Sequence, residues 1–361
     1  MALGIITTTF VLSCTFVAIV LRLSRKKAWF DPIDERKIHT GEVPRLGGLG
    51  FATAFILVVF GIIFLVPALG IKLPNALLGP SFIFPLISII IIFISGVFDD
   101  FHPMAPRYKL FIQFIAGILV LIPNYTFNRI FPFNIGSLGE LIWLRYPITF
   151  LWIVGLTNAV NFIDGVDGLA GGVSALAALF YALIFMHSPN GGPTSLLALC
   201  LVAALGGFLV FNLPFPRARI FMGDGGSQFL GFTLALLPLS NGTGTGIPVF
   251  YAAALLSIPI FDTIAAIWRR LRDGRRIDSP DRLHIHHKLM NMGLSSRKVD
   301  AVLYGLQILL GVLVFESLRF KGGLSILLLG AAYAATAGFF TFIHFANRAI
   351  QKQLKTHTSE T

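Results

Sequence analysis

Hydrophobic residues in this chain fall in long continuous runs, without strand-like alternation. A membrane-spanning helix needs about 20 mostly apolar residues. Eleven runs approach that length, at roughly 3–23, 47–69, 80–98, 108–124, 147–163, 169–187, 194–212, 227–241, 247–268, 300–319 and 323–346. Strands of a membrane barrel would alternate in units of about ten residues. The continuous runs therefore predict an all-α polytopic membrane protein with about 11 transmembrane helices. The fifth and eighth runs are the weakest, being short or interrupted by polar residues. The chain shows no long internal repeat, low-complexity tract or soluble domain. A single integral-membrane domain over 1–361 is expected, with a short polar tail from about 348.

Composition agrees with the pattern. Of 361 residues, 55% are hydrophobic and only 12% charged, against about 25% charged in a soluble domain. A net charge of +11 invites a nucleic-acid reading. That reading fails, because the basic residues lie between apolar runs rather than on one soluble domain. Cys14 and Cys200 both sit inside apolar runs, so no disulfide framework is implied.

Charge also orients the chain. The first run has no Lys or Arg before it and is followed by Arg22, Arg25, Lys26 and Lys27, the reverse of a secretory signal. It reads as a retained helix with its N-terminus outside. Eleven spans then place 23 of the 28 Lys and Arg on the inner side and 5 on the outer, as the positive-inside rule requires. The C-terminus is then expected on the cytoplasmic side.

Every notable acidic or histidine cluster falls on that same inner side. Asp99 and Asp100 end the third run in "GVFDD". Asn158, Asn161, Asp164 and Asp167 recur every three residues in "NAVNFIDGVDGLAGG", a spacing that places them on one face of a helix end turning into a loop. Asp224 stands in "FMGDGGSQFLG", and His284, His286 and His287 in "DRLHIHHKL". Each has a plainer alternative: a solvated helix end, an Asx-rich turn, a helix cap, a surface loop or a zinc site. Against zinc, neither HExxH nor paired CxxC is present. Asp262, an acid within a run, is either functional or simply paired with a neighbour. Carboxylate and amide oxygens suit Mg²⁺, which keeps waters and takes substrate phosphate. Nearby Arg, Lys and His suit phosphate oxygens. Together with a membrane interface, these point to phosphoryl transfer to or from a lipid.

The residues "DERKIHTGEVPRLGG", "GVFDD", "NAVNFIDGVDGLAGG", "FMGDGGSQFLG" and "DRLHIHH", in that order across the chain, resemble the motif series of the polyprenyl-phosphate N-acetylhexosamine-1-phosphate transferases. Within that family, "DRLHIHHKL" is similar to the WecA/TagO branch, which uses UDP-N-acetylglucosamine. Ile285 interrupts the three consecutive histidines typical of the phospho-N-acetylmuramoyl-pentapeptide transferases, MraY, which remain the alternative. A secondary transporter is the rival from another class, although transporter sites lie near the bilayer midplane.

The resemblance implies transfer of N-acetylglucosamine 1-phosphate to undecaprenyl phosphate with release of UMP, dependent on Mg²⁺ or alternatively Mn²⁺. It implies that Asp224 and Asn161 hold the metal and that Asp99 and Asp100 stand beside the acceptor phosphate. Lys109 would contact phosphate, and Asp164 would serve catalysis or support it. Asp167 and Phe221 would meet the uracil, while Arg282, His284, His286 and His287 would contact phosphate or sugar. Arg36, Lys37 and His39 look like an inner-loop anchor. The expected partners are UDP-N-acetylglucosamine, undecaprenyl phosphate and the bilayer. No nucleic acid is expected, and a homodimer is compatible with the chain.

Overall fold

The computed structural model describes residues 1–30, 43–68, 79–130, 141–213, 217–240, 246–276, 279, 281 and 283–360, with side chains through 353. Arg36, Lys37, His39 and Arg282 lie outside the described residues. Among those described, the chain is helical, apart from one isolated antiparallel bridge between Thr126 and Ser240. Cys14 and Cys200 are both free thiols, as their placement in apolar runs predicts.

The chain forms two compact units, Met1–Ala252 and Ala253–Thr361. The first holds α1 (Ala2–Lys27), α2 (Gly47–Ala68), α3 (Pro80–Phe101), α4 (Pro106–Leu121), α5 (Arg145–Ile163), α6 (Leu169–Met186), α7 (Gly192–Asn212) and α8 (Asp224–Leu236). Helix α9 (Val249–Leu255) straddles the division. The second unit holds α10 (Ser257–Arg272), α11 (Ile285–Asn291), α12 (Ser296–Arg319) and α13 (Gly323–Glu360).

Helices cover the described parts of all eleven apolar runs, but fewer than eleven of the described helices pass a length-and-composition test for a span. Eight described helices are long and apolar enough to cross a membrane, or nine if α9 and α10, bent by 87° at their junction, form one span. The fourth and eighth runs fall short. With 16 residues α4 is about 24 Å long, and with 13 residues α8 is about 20 Å, against about 30 Å of hydrocarbon. The fifth run, weak in the sequence, forms a full candidate span over Leu141–Ile163.

The reason α8 can be short is packing. Every residue from Gly225 to Leu236 is buried. Helices α2, α3 and α5 pack around it, and Phe229 meets Phe51, Phe55 and Phe93 edge-on at 5.7–6.0 Å between centroids. A helix that never faces lipid need not match the bilayer thickness. Lipid tails are as apolar as Leu, so such packing rests on close van der Waals approach, which small residues allow. A Cβ at Gly96 would lie 2.6 Å from the Asp224 carbonyl oxygen, so α3 crosses the start of α8 in backbone contact.

Candidate active site

The first unit gathers its acids at the ends of helices. Asp99 and Asp100 occupy the last turn of α3, and Lys109 the first turn of α4. Asp164 follows the last residue of α5, and Asp224 is the first residue of α8. Gly223, immediately before α8, adopts φ +76°, and a Cβ there would stand 2.0 Å from the Arg45 carbonyl oxygen. Only glycine fits that left-handed, crowded position.

The adjacent aspartates are divided by their partners. Asp100 caps α8: its Oδ1 accepts from the Asp224 N–H at 2.8 Å, and its Oδ2 accepts from the Gly225 N–H at 2.9 Å. Arg45 donates to the same Oδ1 from Nη2 at 3.0 Å and from Nε at 3.2 Å. A carboxylate at a helix N-terminus meets otherwise unpaired N–H groups and the positive end of the dipole. Asp99 turns elsewhere. Its Oδ1 accepts from the Met104 N–H at 2.7 Å, and its Oδ2 accepts from Lys109 Nζ at 2.6 Å. Lys109 Nζ also donates to Asp224 Oδ2 at 2.7 Å, so one ammonium bridges two of the acids.

A line of amides, two of them buried, backs Asp224. Gln228 Nε2 donates to Asp224 Oδ2 at 3.2 Å, and Gln113 Nε2 donates to Gln228 Oε1 at 3.2 Å. Asn158 Nδ2 donates to Gln113 Oε1 at 2.6 Å and to the Val154 carbonyl at 2.8 Å. An ionised carboxylate can only accept, so Asp224 fixes the direction of all three amides. Beside them, Asn161 Nδ2 donates to Ser227 Oγ at 2.7 Å, which turns its Oδ1 the other way.

The loop after α5 is tied down separately. The Gly168 N–H donates to Asn212 Oδ1 at 2.7 Å, and Asn212 Nδ2 donates to the Ile220 carbonyl at 2.9 Å. Asp167 Oδ2 accepts from the Ala218 N–H at 3.2 Å. Phe221 is anchored through its backbone, its N–H donating to the Pro44 carbonyl and its carbonyl accepting from Gly47. Burial, then the charges of Asp224, Asp100 and Asp167, push the Asp164 carboxyl up to about 8.

That upward push tests whether a divalent cation fits. The donors are hard oxygens, and the cluster carries more negative charge than Arg45 and Lys109 offset. No three His, Cys, Asp or Glu side chains converge into a ready-made cage among the described residues. Mg²⁺ does not need one, since it keeps several waters and shares substrate phosphate. Asp224 and Asn161 therefore fit as ligands.

The histidine loop belongs to the second unit. Asp262 of α10 accepts from His284 Nδ1 at 2.7 Å and from the Ile285 N–H at 2.8 Å. His286 is buried, and neither of its ring nitrogens has a hydrogen-bond partner. Burial and the nearby His287 push its imidazole down to about 3. His286 is thus enclosed in its unit rather than presented to solvent. The ring of His287 lies 4.2 Å from that of His286.

Comparison with known proteins agrees with the motif reading. Residues 82–241 match the model of glycosyl transferase family 4. Over 290 residues the chain is 37% identical to the probable undecaprenyl-phosphate N-acetylglucosaminyl 1-phosphate transferase of Bacillus subtilis (strain 168), covering 79% of this chain and 76% of that protein. The chain belongs to glycosyl transferase family 4. The undecaprenyl-phosphate alpha-N-acetylglucosaminyl 1-phosphate transferase of Escherichia coli (strain K12) is 31% identical over 297 residues, covering 80% of this chain and 76% of the relative. The decaprenyl-phosphate N-acetylglucosaminephosphotransferase of Mycobacterium tuberculosis (strain ATCC 25618 / H37Rv) is 30% identical over 293 residues, covering 75% and 71%.

In this family 4 chain the structure brings Asp99, Asp100, Lys109 and Asp224 into one bonded cluster, with Asn161 attached through Ser227. Asp167 and Phe221 are held on the loops that Asn212 staples. Arg45, Gln113, Asn212 and Gln228 escaped the sequence reading. Gln113 and Gln228 carried one legible signal, an amide within an apolar run, which is costly unless partnered.

Proposed function

We propose that the protein transfers N-acetylglucosamine 1-phosphate from UDP-N-acetylglucosamine to undecaprenyl phosphate, releasing UMP. The observation that carries this reading is the Asp99–Lys109–Asp224 bridge, built at helix ends beside the capped start of α8. Relatives named for this transfer support it. A cluster at helix ends suits chemistry at a membrane face, whereas transporter sites sit near the midplane. The positive-inside asymmetry favours the cytoplasmic face, with the N-terminus outside and the C-terminus inside.

A bound Mg²⁺, held by Asp224 and Asn161, would supply charge neutralisation at the donor pyrophosphate. The chain's own residues do the rest. Lys109 shifts from its two carboxylates towards a phosphate oxygen, for which an ammonium is a compact point-charge partner. The acceptor is a phosphate monoester with a second pKa of about 6. It is mostly deprotonated at pH 7, so no strong base is required. Asp99 orients Lys109, and Asp100 holds the start of α8, and with it Asp224, in place. Asp164, its carboxyl pushed up to about 8, is mostly protonated at pH 7 and supports the cluster from the end of α5, while the family resemblance assigns Asp167 and Phe221 to the uracil, by hydrogen bond and by stacking.

The test is UMP release by purified protein with Mg²⁺ and UDP-N-acetylglucosamine. Release that depends on added undecaprenyl phosphate supports the reading. Release without acceptor, or none with it, refutes it. Chemical cross-linking of the same preparation tests whether the protein forms a homodimer.

A further inference from the structure

We propose that Gln307 is a positioning residue: its side-chain amide holds the elbow between α9 and α10, and through it the line of the helix that anchors the histidine loop. The bend of 87° falls at Leu256, between Leu255 at the end of α9 and Ser257 at the start of α10. Its origin is local. In an unbroken helix the N–H of residue 259 would donate to the carbonyl of residue 255. Residue 259 is proline, which has no N–H and whose ring collides with that carbonyl. The Leu255 carbonyl is thus released inside an apolar segment, where an unmatched polar group is costly. Gln307 supplies the donor: its Nε2 donates to the Leu255 carbonyl at 2.9 Å.

Gln307 stands midway along the 24 residues of α12, a candidate span, and is fully buried. Leucine or methionine would suit that position if packing were all it required. The amide is present although its own Oε1 has no partner among the described residues, so the bond to Leu255 is what the side chain contributes. A second tie comes from α13. Thr336 Oγ1 donates its one proton to the Ala332 carbonyl at 3.1 Å, so Ser257 Oγ donates to Thr336 Oγ1 at 2.8 Å. Leu255, Ser257, Gln307 and Thr336 all lie in the second unit. The elbow is therefore held by α12 just before the bend and by α13 just after it. Beyond the bend, α10 carries the loop: Asp262 accepts from His284 and from the Ile285 N–H, and Arg269 donates to Asp281, which accepts from the Leu283 N–H. A change in the line of α10 is passed to that loop.

Spin-label distances read the elbow in the full-length protein in nanodiscs. With Cys14 and Cys200 replaced by alanine, labels are placed at the exposed positions Trp268 of α10 and Val312 of α12 through Trp268→Cys and Val312→Cys. Trp268 lies about 18 Å along α10 from the bend, so a swing of about 10° moves it by about 3 Å. Gln307→Met strands the Leu255 carbonyl and should shift or broaden the distance by that amount. Gln307→Glu should keep the wild-type distance at pH 6, because a carboxyl buried in apolar surroundings stays neutral and its O–H can donate. Pro259→Ala restores a competing N–H. Alone it should leave the elbow in place, since Gln307 still holds the carbonyl; combined with Gln307→Met it should move the labels by more than the two single shifts together. A wild-type distance in Gln307→Met, or additive shifts in the double variant, overturns the proposal. Should Gln307→Met not fold, proton NMR of the wild type decides, with Gln307→Glu identifying the resonance. One Gln307 amide proton should lie downfield of those of the exposed Gln351 and Gln353, as a hydrogen-bonded proton does, and coincidence with them overturns the proposal.

The consequence for activity rests on the transfer reading above, whereas the elbow does not. Gln307→Met should lower kcat about a hundredfold, the scale at which roughly 1 Å of misplacement is felt, and Gln307→Glu should restore it. Displaced labels with an unchanged kcat overturn the positioning role. If the wild type shows no transfer at all, the transfer reading has failed, and the label distances still decide whether Gln307 holds the elbow.

Discussion

Replacing Asp100 by asparagine tests the division of labour between the adjacent aspartates. The wild-type carboxylate satisfies the Asp224 and Gly225 N–H groups and Arg45 together. Asparagine has the same shape but one accepting oxygen. Three donors converge on Oδ1, so the amide oxygen should stay there and its NH₂ should face the Gly225 N–H. A buried donor left without an acceptor costs about 1–3 kcal/mol. Losing the negative charge at the start of α8 adds about 0.3–1 kcal/mol. The expected penalty is about 2–4 kcal/mol, concentrated where Asp224 is held. Thermal unfolding of the purified variant should drop by several degrees, and transfer should fall with it at every pH. Asp99→Asn should unfold near the wild-type temperature, since its oxygens serve Met104 and Lys109 rather than a helix end. An Asp100→Asn protein of wild-type stability, whose activity returns as pH rises, would refute the cap and point to Asp100 as a base.

Two further outcomes follow from buried polar groups. Gln113→Leu or Gln228→Met alone should destabilise by about 1–3 kcal/mol, because each strands a partner amide, while the double variant should cost less than the sum; additive losses in thermal unfolding would contradict a connected amide line. His286 is held neutral to about pH 3 in the fold but titrates near 6.5 when unfolded. The unfolded state binds the extra proton below 6.5, so stability falls on acidification. Going from pH 7 to 5 should cost about 2 kcal/mol. A pH series of unfolding temperatures checks this, and His286→Leu should flatten the difference between the two pH values relative to wild type. Equal acid sensitivity in both proteins would place the effect elsewhere.

What was legible in the sequence was local. Apolar runs located the helices, because burial in lipid depends on composition over about 20 residues. The same runs do not reveal that α8 is wrapped by its neighbours or that α9 and α10 bend at Leu256. The spacing of Asn158, Asn161, Asp164 and Asp167 foretold a helix end, and α5 does end at Ile163 before the turn to Gly168. The acids themselves were visible, but their partners were not. Asp100 lies 124 residues from the N–H it caps, and Gln113 lies 115 residues from Gln228. No local pattern encodes such pairs. Asp262 stood in the sequence as either functional or merely paired. The structure supplies the partner, His284, 22 residues on.

The central claim concerns which bond of the donor breaks, and phosphorus labelling reads that most directly. UDP-N-acetylglucosamine labelled with ³²P at the β-phosphate is incubated with purified protein, Mg²⁺ and undecaprenyl phosphate, and the lipid and aqueous phases are separated. Attack of the acceptor phosphate oxygen on the β-phosphorus, with departure of UMP, carries the label into the lipid as a diphosphate-linked sugar. The account predicts that transfer for the wild type and its near-complete loss in Asp224→Asn. Label that remains in water as UDP while the sugar moves to the lipid, or lipid labelling unchanged in Asp224→Asn, would contradict it.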